Sequence, residues 1–217
     1  PVLLGGQPLD LSFFYIPAAS PAILISVTLM ASVIGSGLIA DDLHTMSLSL
    51  YLSRPITHLD YLIAKAMILV PLISMVAVFP LLLTPFLAAL LGMFSWVIVL
   101  PAIGLSLVIG LLLTVFYASV SLFLSSITRR KSYAAAGVFA VTFGLAIPAE
   151  ILASVTENQS LLYLSPWQDF LAVARAVFGA AAGPIDWPGG LAILLGVTVL
   201  ASFSTHLRMR AVEVVSG

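Results

Sequence analysis

The chain of 217 residues is 61% hydrophobic and only 8% charged, with a mean hydropathy of +1.20, which excludes an ordinary soluble globular domain. Eight basic against nine acidic residues give a formal charge of −1, so no bulk field draws nucleic acid as a partner. The absence of cysteine removes disulfide frameworks, thiolate metal sites and thiol nucleophiles.

Four stretches carry no charge: Leu11–Ala40, Ala66–Thr128, Ser132–Ala149 and Trp187–Thr205. A hydrocarbon core about 30 Å thick takes roughly 20 apolar residues per helical crossing. The longest stretch therefore holds two crossings and a turn, and the others one each. The expected fold is an all-α polytopic membrane protein whose 217 residues form one transmembrane domain. Its five transmembrane helices fall at residues 17–40, 66–91, 102–127, 133–156 and 188–206. The runs lack the alternation of lipid-facing and lumen-facing residues that a β-barrel requires.

The first span carries Ala31, Gly35, Ser36 and Ala40 three or four residues apart, a spacing that lets helices approach closely in lipid and more often serves packing within a subunit. Residues 41–65 follow, semi-polar: Leu43, Met46 and Leu50 share one helical face, while Leu48, Leu50 and Leu52 alternate as a strand would, and periodicity does not decide between them. Arg54–Pro55 breaks the pattern, because proline disfavours helical geometry in the residue before it. Thr57 and Asp60 then have capping-box spacing, opening a helix through Tyr61 and Lys65 into the second span. The shape expected is a short amphipathic element on the membrane face, a tight turn and a helix entering the bilayer.

Gly92, Trp96 and Pro101 mark the turn inside the long run. Arg129, Arg130 and Lys131 form a knot between the third and fourth spans, where they hold topology or add a second cytoplasmic contact. Glu150 lies toward the outer end of the fourth span and is the one candidate for a substrate-path carboxylate. Within the element 157–187, residues 165–178 read as an outer amphipathic interfacial helix. Ser165 caps it, Pro166 takes the first helical position and Gln168 completes a capping box. Trp167, Phe170, Leu171, Ala174, Val177 and Phe178 form its apolar face, with Gln168, Asp169 and Arg175 opposite.

Alternating five crossings puts Arg54, Lys65, Arg129, Arg130, Lys131, Arg208 and Arg210 on one side and only Arg175 on the other. The positive-inside rule makes the basic side cytoplasmic, together with the C-terminus. The chain is then expected to be a multi-pass protein of the cell membrane. Because the external N-terminus shows neither a signal peptide nor an initiating methionine, the expectation is an upstream crossing outside this chain, six in the native subunit, with a cleaved leader as the alternative.

Asp41 or Asp42, Thr45, Leu48, Leu50, Tyr51, Leu52, Ser53, Arg54, Pro55, Ile56, Asp60, Tyr61 and Lys65 follow a small-residue span end. This pattern resembles the membrane subunits of type-two ABC exporters, with Leu-Ser-Arg-Pro-Ile as its most specific core. The resemblance covers nearly the whole layout, including the turn at Arg129–Lys131 and the outer element before the last span. It implies that 41–65 is the coupling helix that docks on a separate ATP-hydrolysing subunit. Contact residues would come from Asp41, Asp42, Leu43, Thr45, Met46, Leu50, Tyr51, Arg54, Pro55, Ile56, Asp60 and Tyr61. It also implies a second permease protomer as partner, in a homodimer or heterodimer, and export as the direction of transport.

The chain itself offers no catalytic constellation. There is no His-Glu-x-x-His and no Gly-x-Ser-x-Gly, and neither lysine follows a glycine, so no P-loop exists. His44, His58 and His206 are all expected at cytoplasmic or membrane-edge positions, none mid-membrane. The expectation is a non-enzymatic permease that binds no cofactor, with ATP and Mg2+ on the partner. Its uniformly apolar spans fit a lipid-like, hydrophobic or peptide cargo. Two other classes stay open: an ion-coupled carrier, which would need Glu150, and a non-transporting scaffold, in which 41–65 would bind lipid.

Overall fold

A computed structural model describes the backbone of residues 3–4, 7–8, 10–45 and 57–216, and the side chains of 10–45 and 57–210. Leu3–Leu4 pairs antiparallel with Gln7–Pro8, and the rest of the described chain is helical or turn. The five spans are α1 (Pro21–His44), α2 (His58–Leu90), α3 (Trp96–Ile127), α4 (Lys131–Thr156) and α6, whose apolar part is Trp187–Arg210. Between the last two lies α5 (Pro166–Phe178). The chain is thus an all-α polytopic membrane protein.

α1, α2, α3 and α5 start where a side chain caps the first turn, whereas α4 begins at Lys131 without one. Ser20 and Ser95 accept the N–H groups of Ala22 and Val97, and Pro21 supplies the fixed φ that suits a first helical position. α2 is 33 residues long, which at 1.5 Å per residue makes about 50 Å, well beyond a hydrocarbon core of about 30 Å. Its first turns therefore project from the membrane, so the second helix begins at His58 and not at the membrane edge.

α3 is the hub of the bundle. Where it crosses α2, Gly110 lies so near that an added Cβ would stand 2.9 Å from the Val78 Cα. On its other side α1 opens into a π-turn at Ala31–Gly35, which disturbs the i→i−4 ladder. Two serines of α3 repair it. Ser121 donates to the Ala31 carbonyl at 2.8 Å, and Ser125 donates to the Ser36 carbonyl at 2.7 Å. Ser125 Oγ also accepts the N–H groups of Ile39 and Ala40, at 3.0 and 2.9 Å. Ala31, Gly35, Ser36 and Ala40 are all buried, so this stripe is spent on packing within the subunit. A second π-turn, Ala140–Gly144, interrupts α4. Between the two turns the Tyr117 hydroxyl lies 3.5 Å from Thr28 and 3.2 Å from Thr142.

The end of the bundle opposite the basic residues is closed by short elements. Phe13 and Phe14 meet Phe94 with ring centroids 5.4 and 5.0 Å apart, joining the first helical turns to the α2–α3 turn. α5 is capped by Ser165, which accepts the Gln168 N–H at 3.3 Å. It stops at Gly179, whose φ of +67° is a left-handed cap. The expected capping box is only half made, because the Gln168 side chain turns away to Glu150, 2.9 Å from its Oε1. Burial of α5 also departs from the amphipathic reading. Six successive residues, Asp169 to Ala174, are buried, because α3, α4, α6, Leu11–Ala18 and Gln159–Leu164 enclose the helix. Asp169, expected on the polar face, is fully inside.

Candidate functional site at the basic end of the bundle

The end of α1 and the start of α2 frame the segment that carries the motif. Capping begins on the α2 side. The Thr57 hydroxyl accepts the Asp60 N–H at 3.2 Å, and Asp60 Oδ2 accepts the Thr57 N–H at 3.1 Å and its O–H at 2.7 Å. Both halves of this capping box are made, so α2 starts at a defined residue and in a defined direction. One turn on, Tyr61 is buried, and its hydroxyl donates to Asp42 Oδ2 at 2.7 Å. A further turn brings Lys65, whose Nζ lies 2.7 Å from the same oxygen and 5.3 Å from the Tyr61 ring centroid.

Asp42, Tyr61 and Lys65 therefore form a clamp from α1 to α2, the two helices that flank residues 46–56 in the sequence. The i, i+4 spacing of Tyr61 and Lys65 places both on one face of α2. The pair Asp42–Lys65 is mostly sheltered, with side chains 17 and 18% exposed, so solvent screens it less than a surface pair. Nearby, Leu43 packs half-buried against the core. Asp41 is exposed, and its carbonyl accepts the Thr45 hydroxyl at 2.8 Å. Met46, Leu50, Tyr51, Arg54, Pro55 and Ile56 lie outside the described residues.

Arg129, Arg130 and Lys131 are exposed on the short α3–α4 turn. Thr128 Oγ1 accepts the Arg130 N–H at 3.1 Å, and the guanidinium stands 5.9 Å from the Tyr133 ring centroid. They share the bundle end with Asp42. At the same end the His58 and His206 rings lie 4.8 Å apart. Beside them a cavity of about 350 Å³ opens between α2, α3 and α6, walled by Leu62, Ala66, Val115 and Ala118. Glu150 is not part of this assembly. It is exposed at the far end of α4, joined to Gln168 of α5.

Among the described residues, no three His, Asp or Glu side chains stand together as a metal site would. Asp42 joins α1 to α2, and α1 is joined to α3 by Ser121 and Ser125, two residues that the charge-based reading overlooked. Their signal in the sequence is an i, i+4 pair of small hydroxyls on an apolar helix.

No curated protein matches the chain. Its sequence matches the family described as ABC-2 family transporter protein over residues 12–205, from the first helical turns through the last span. With its five apolar spans, the chain belongs to the ABC-2 transporter family as a membrane permease.

Proposed function

We propose that this permease is driven by a separate ATP-hydrolysing subunit that docks on residues 41–65, and that it exports its cargo from the cytoplasm. The observation that carries the reading is the clamp of Asp42 with Tyr61 and Lys65, which ties both ends of the motif segment to two spans. ATP binding closes two ATPase subunits, and each pulls on the coupling segment of one permease. Arg54, Asp60 and the apolar side chains of 43–52 make the contact. Asp42 then moves α1 and α2 as one body, because a buried or sheltered ion pair with a second hydrogen bond resists parting. A cavity between two permease protomers switches from inward-facing to outward-facing. Arg129–Lys131 hold the basic end in the cytoplasm.

A photo-crosslinking amino acid in place of Leu50, activated in native membranes, tests this. The expected product is a covalent adduct with an ATP-binding subunit, absent when the probe replaces exposed Leu111 on α3. Adducts with lipid alone at both positions would instead support a scaffold whose 41–65 segment lies on the bilayer.

A further inference from the structure

Asp169 is the most anomalous side chain of the described residues. It is fully buried, and neither carboxylate oxygen has a hydrogen-bond partner. A buried ionised carboxylate in this state is costly, and a neutral acid is the form that such surroundings favour. The position is also tight. A Cβ on Gly190, in the first turn of α6, would stand 2.9 Å from the Asp169 carbonyl oxygen and 3.1 Å from its Cα. Only a glycine lets α6 approach α5 this closely.

No other ionisable group near this end hydrogen-bonds Asp169, although Arg175 Nη1 is likewise buried without a hydrogen-bond partner. On α5 itself, Arg175 lies over the Tyr15 ring, 5.6 Å from its centroid. On α4, Glu150 holds Gln168. The Tyr163 hydroxyl of the Gln159–Leu164 turn accepts the Asp186 N–H at 3.2 Å. Asp10, ahead of the first helical turns, is bonded to Ser12. α3 has no charge, its Tyr117 hydroxyl lies near Thr28 and Thr142, and α6 has none from Trp187 to Thr205. None of these groups hydrogen-bonds Asp169.

We propose that Asp169 is a proton-binding site that latches α5 to α6: the neutral acid keeps the outer helix packed, and loss of its proton lets α5 part from α6 and opens that end of the bundle. Proton balance is simple, one proton leaving the carboxyl for water as the carboxylate becomes hydrated. Burial pushes the acid, which lies outside the five spans, from its ordinary value up to about 7. The packed state thus holds the proton more tightly than the parted one. Packing is at full strength below the ordinary carboxylate range, weakens as pH rises, and is weakest above about 7. The latch lies opposite Asp42, so its failure would leave the coupling reading untouched.

The chain has no cysteine, which permits a clean test in lipid nanodiscs. A cysteine is placed at buried Ala172, which packs with Ile185 at the α5–α6 connection, and a reference cysteine at exposed Ala181. Both are labelled with a water-soluble maleimide. The expected ratio of Ala172→Cys to Ala181→Cys labelling rises with pH, by about tenfold per unit for a single-proton linkage, and flattens above about 7. It is flat with pH in the Asp169→Asn background. Infrared spectra should show a protonated-carboxyl band at pH 6 that Asp169→Asn removes. A flat ratio in the presence of Asp169, an equal rise in Asp169→Asn, or no such band would overturn the proposal.

Discussion

Gly35 is the position where one added methyl does most harm. A Cβ there would overlap Ser121 Oγ, the hydroxyl that satisfies the opened α1 backbone. Gly35→Ala must push α1 off α3, and overpacking of this kind costs about 1–3 kcal/mol, so a lower melting temperature in detergent is expected. Ser125→Ala fails differently. It leaves the N–H groups of Ile39 and Ala40 without their acceptor, at about 1–3 kcal/mol for a buried orphaned group, and Ser125→Thr should recover part of the loss. Asp42→Ala is predicted to separate binding from coupling. The ATPase remains attached, while cargo movement per ATP hydrolysed falls severalfold in proteoliposomes. Loss of the ATPase itself would place Asp42 in the docking contact.

Elements differ in how openly the sequence announces them. The capping box Thr57–Asp60 was legible because its two side chains act on their own backbone. The end of α5 was legible too, since Gly179 takes a left-handed conformation that other residues resist. What α5 does with its faces was not legible, because helical periodicity separates apolar from polar residues but does not say how many neighbours enclose the helix. Burial of Asp169 follows from the approach of α6 at Gly190, a contact distant in the pattern. The same enclosure makes α5 a structural member. Phe170, completely buried and stacked on Trp167 with centroids 5.2 Å apart, should cost about 3–5 kcal/mol on Phe170→Ala, measurable as reduced thermal stability. A helix resting only in the headgroup layer would tolerate that change.

At the scale of the whole molecule, charge placement carried the architecture. Uncharged runs of spanning length read as helices, since a bilayer lets the backbone satisfy its polar groups only in helices or closed barrels, and these runs lack a barrel's alternation. The π-turns, the Ser121 and Ser125 repairs and the Asp42 clamp depend on which helices become neighbours, and no local pattern states that. Sidedness is predicted from Arg129, Arg130 and Lys131. Single cysteines at Ser132 and Ala181 should behave oppositely in intact cells, with only Ala181→Cys reached by an impermeant thiol reagent from outside.

The claim on which the account rests is that energy arrives from another polypeptide. Affinity purification of the tagged permease from its native membrane, with co-eluting proteins identified by mass spectrometry, tests it most directly. A stoichiometric P-loop ATPase, retained with the intact chain and lost with Arg54→Glu, is the predicted result. A permease that elutes without any ATPase, from membranes where it is correctly inserted, would contradict it.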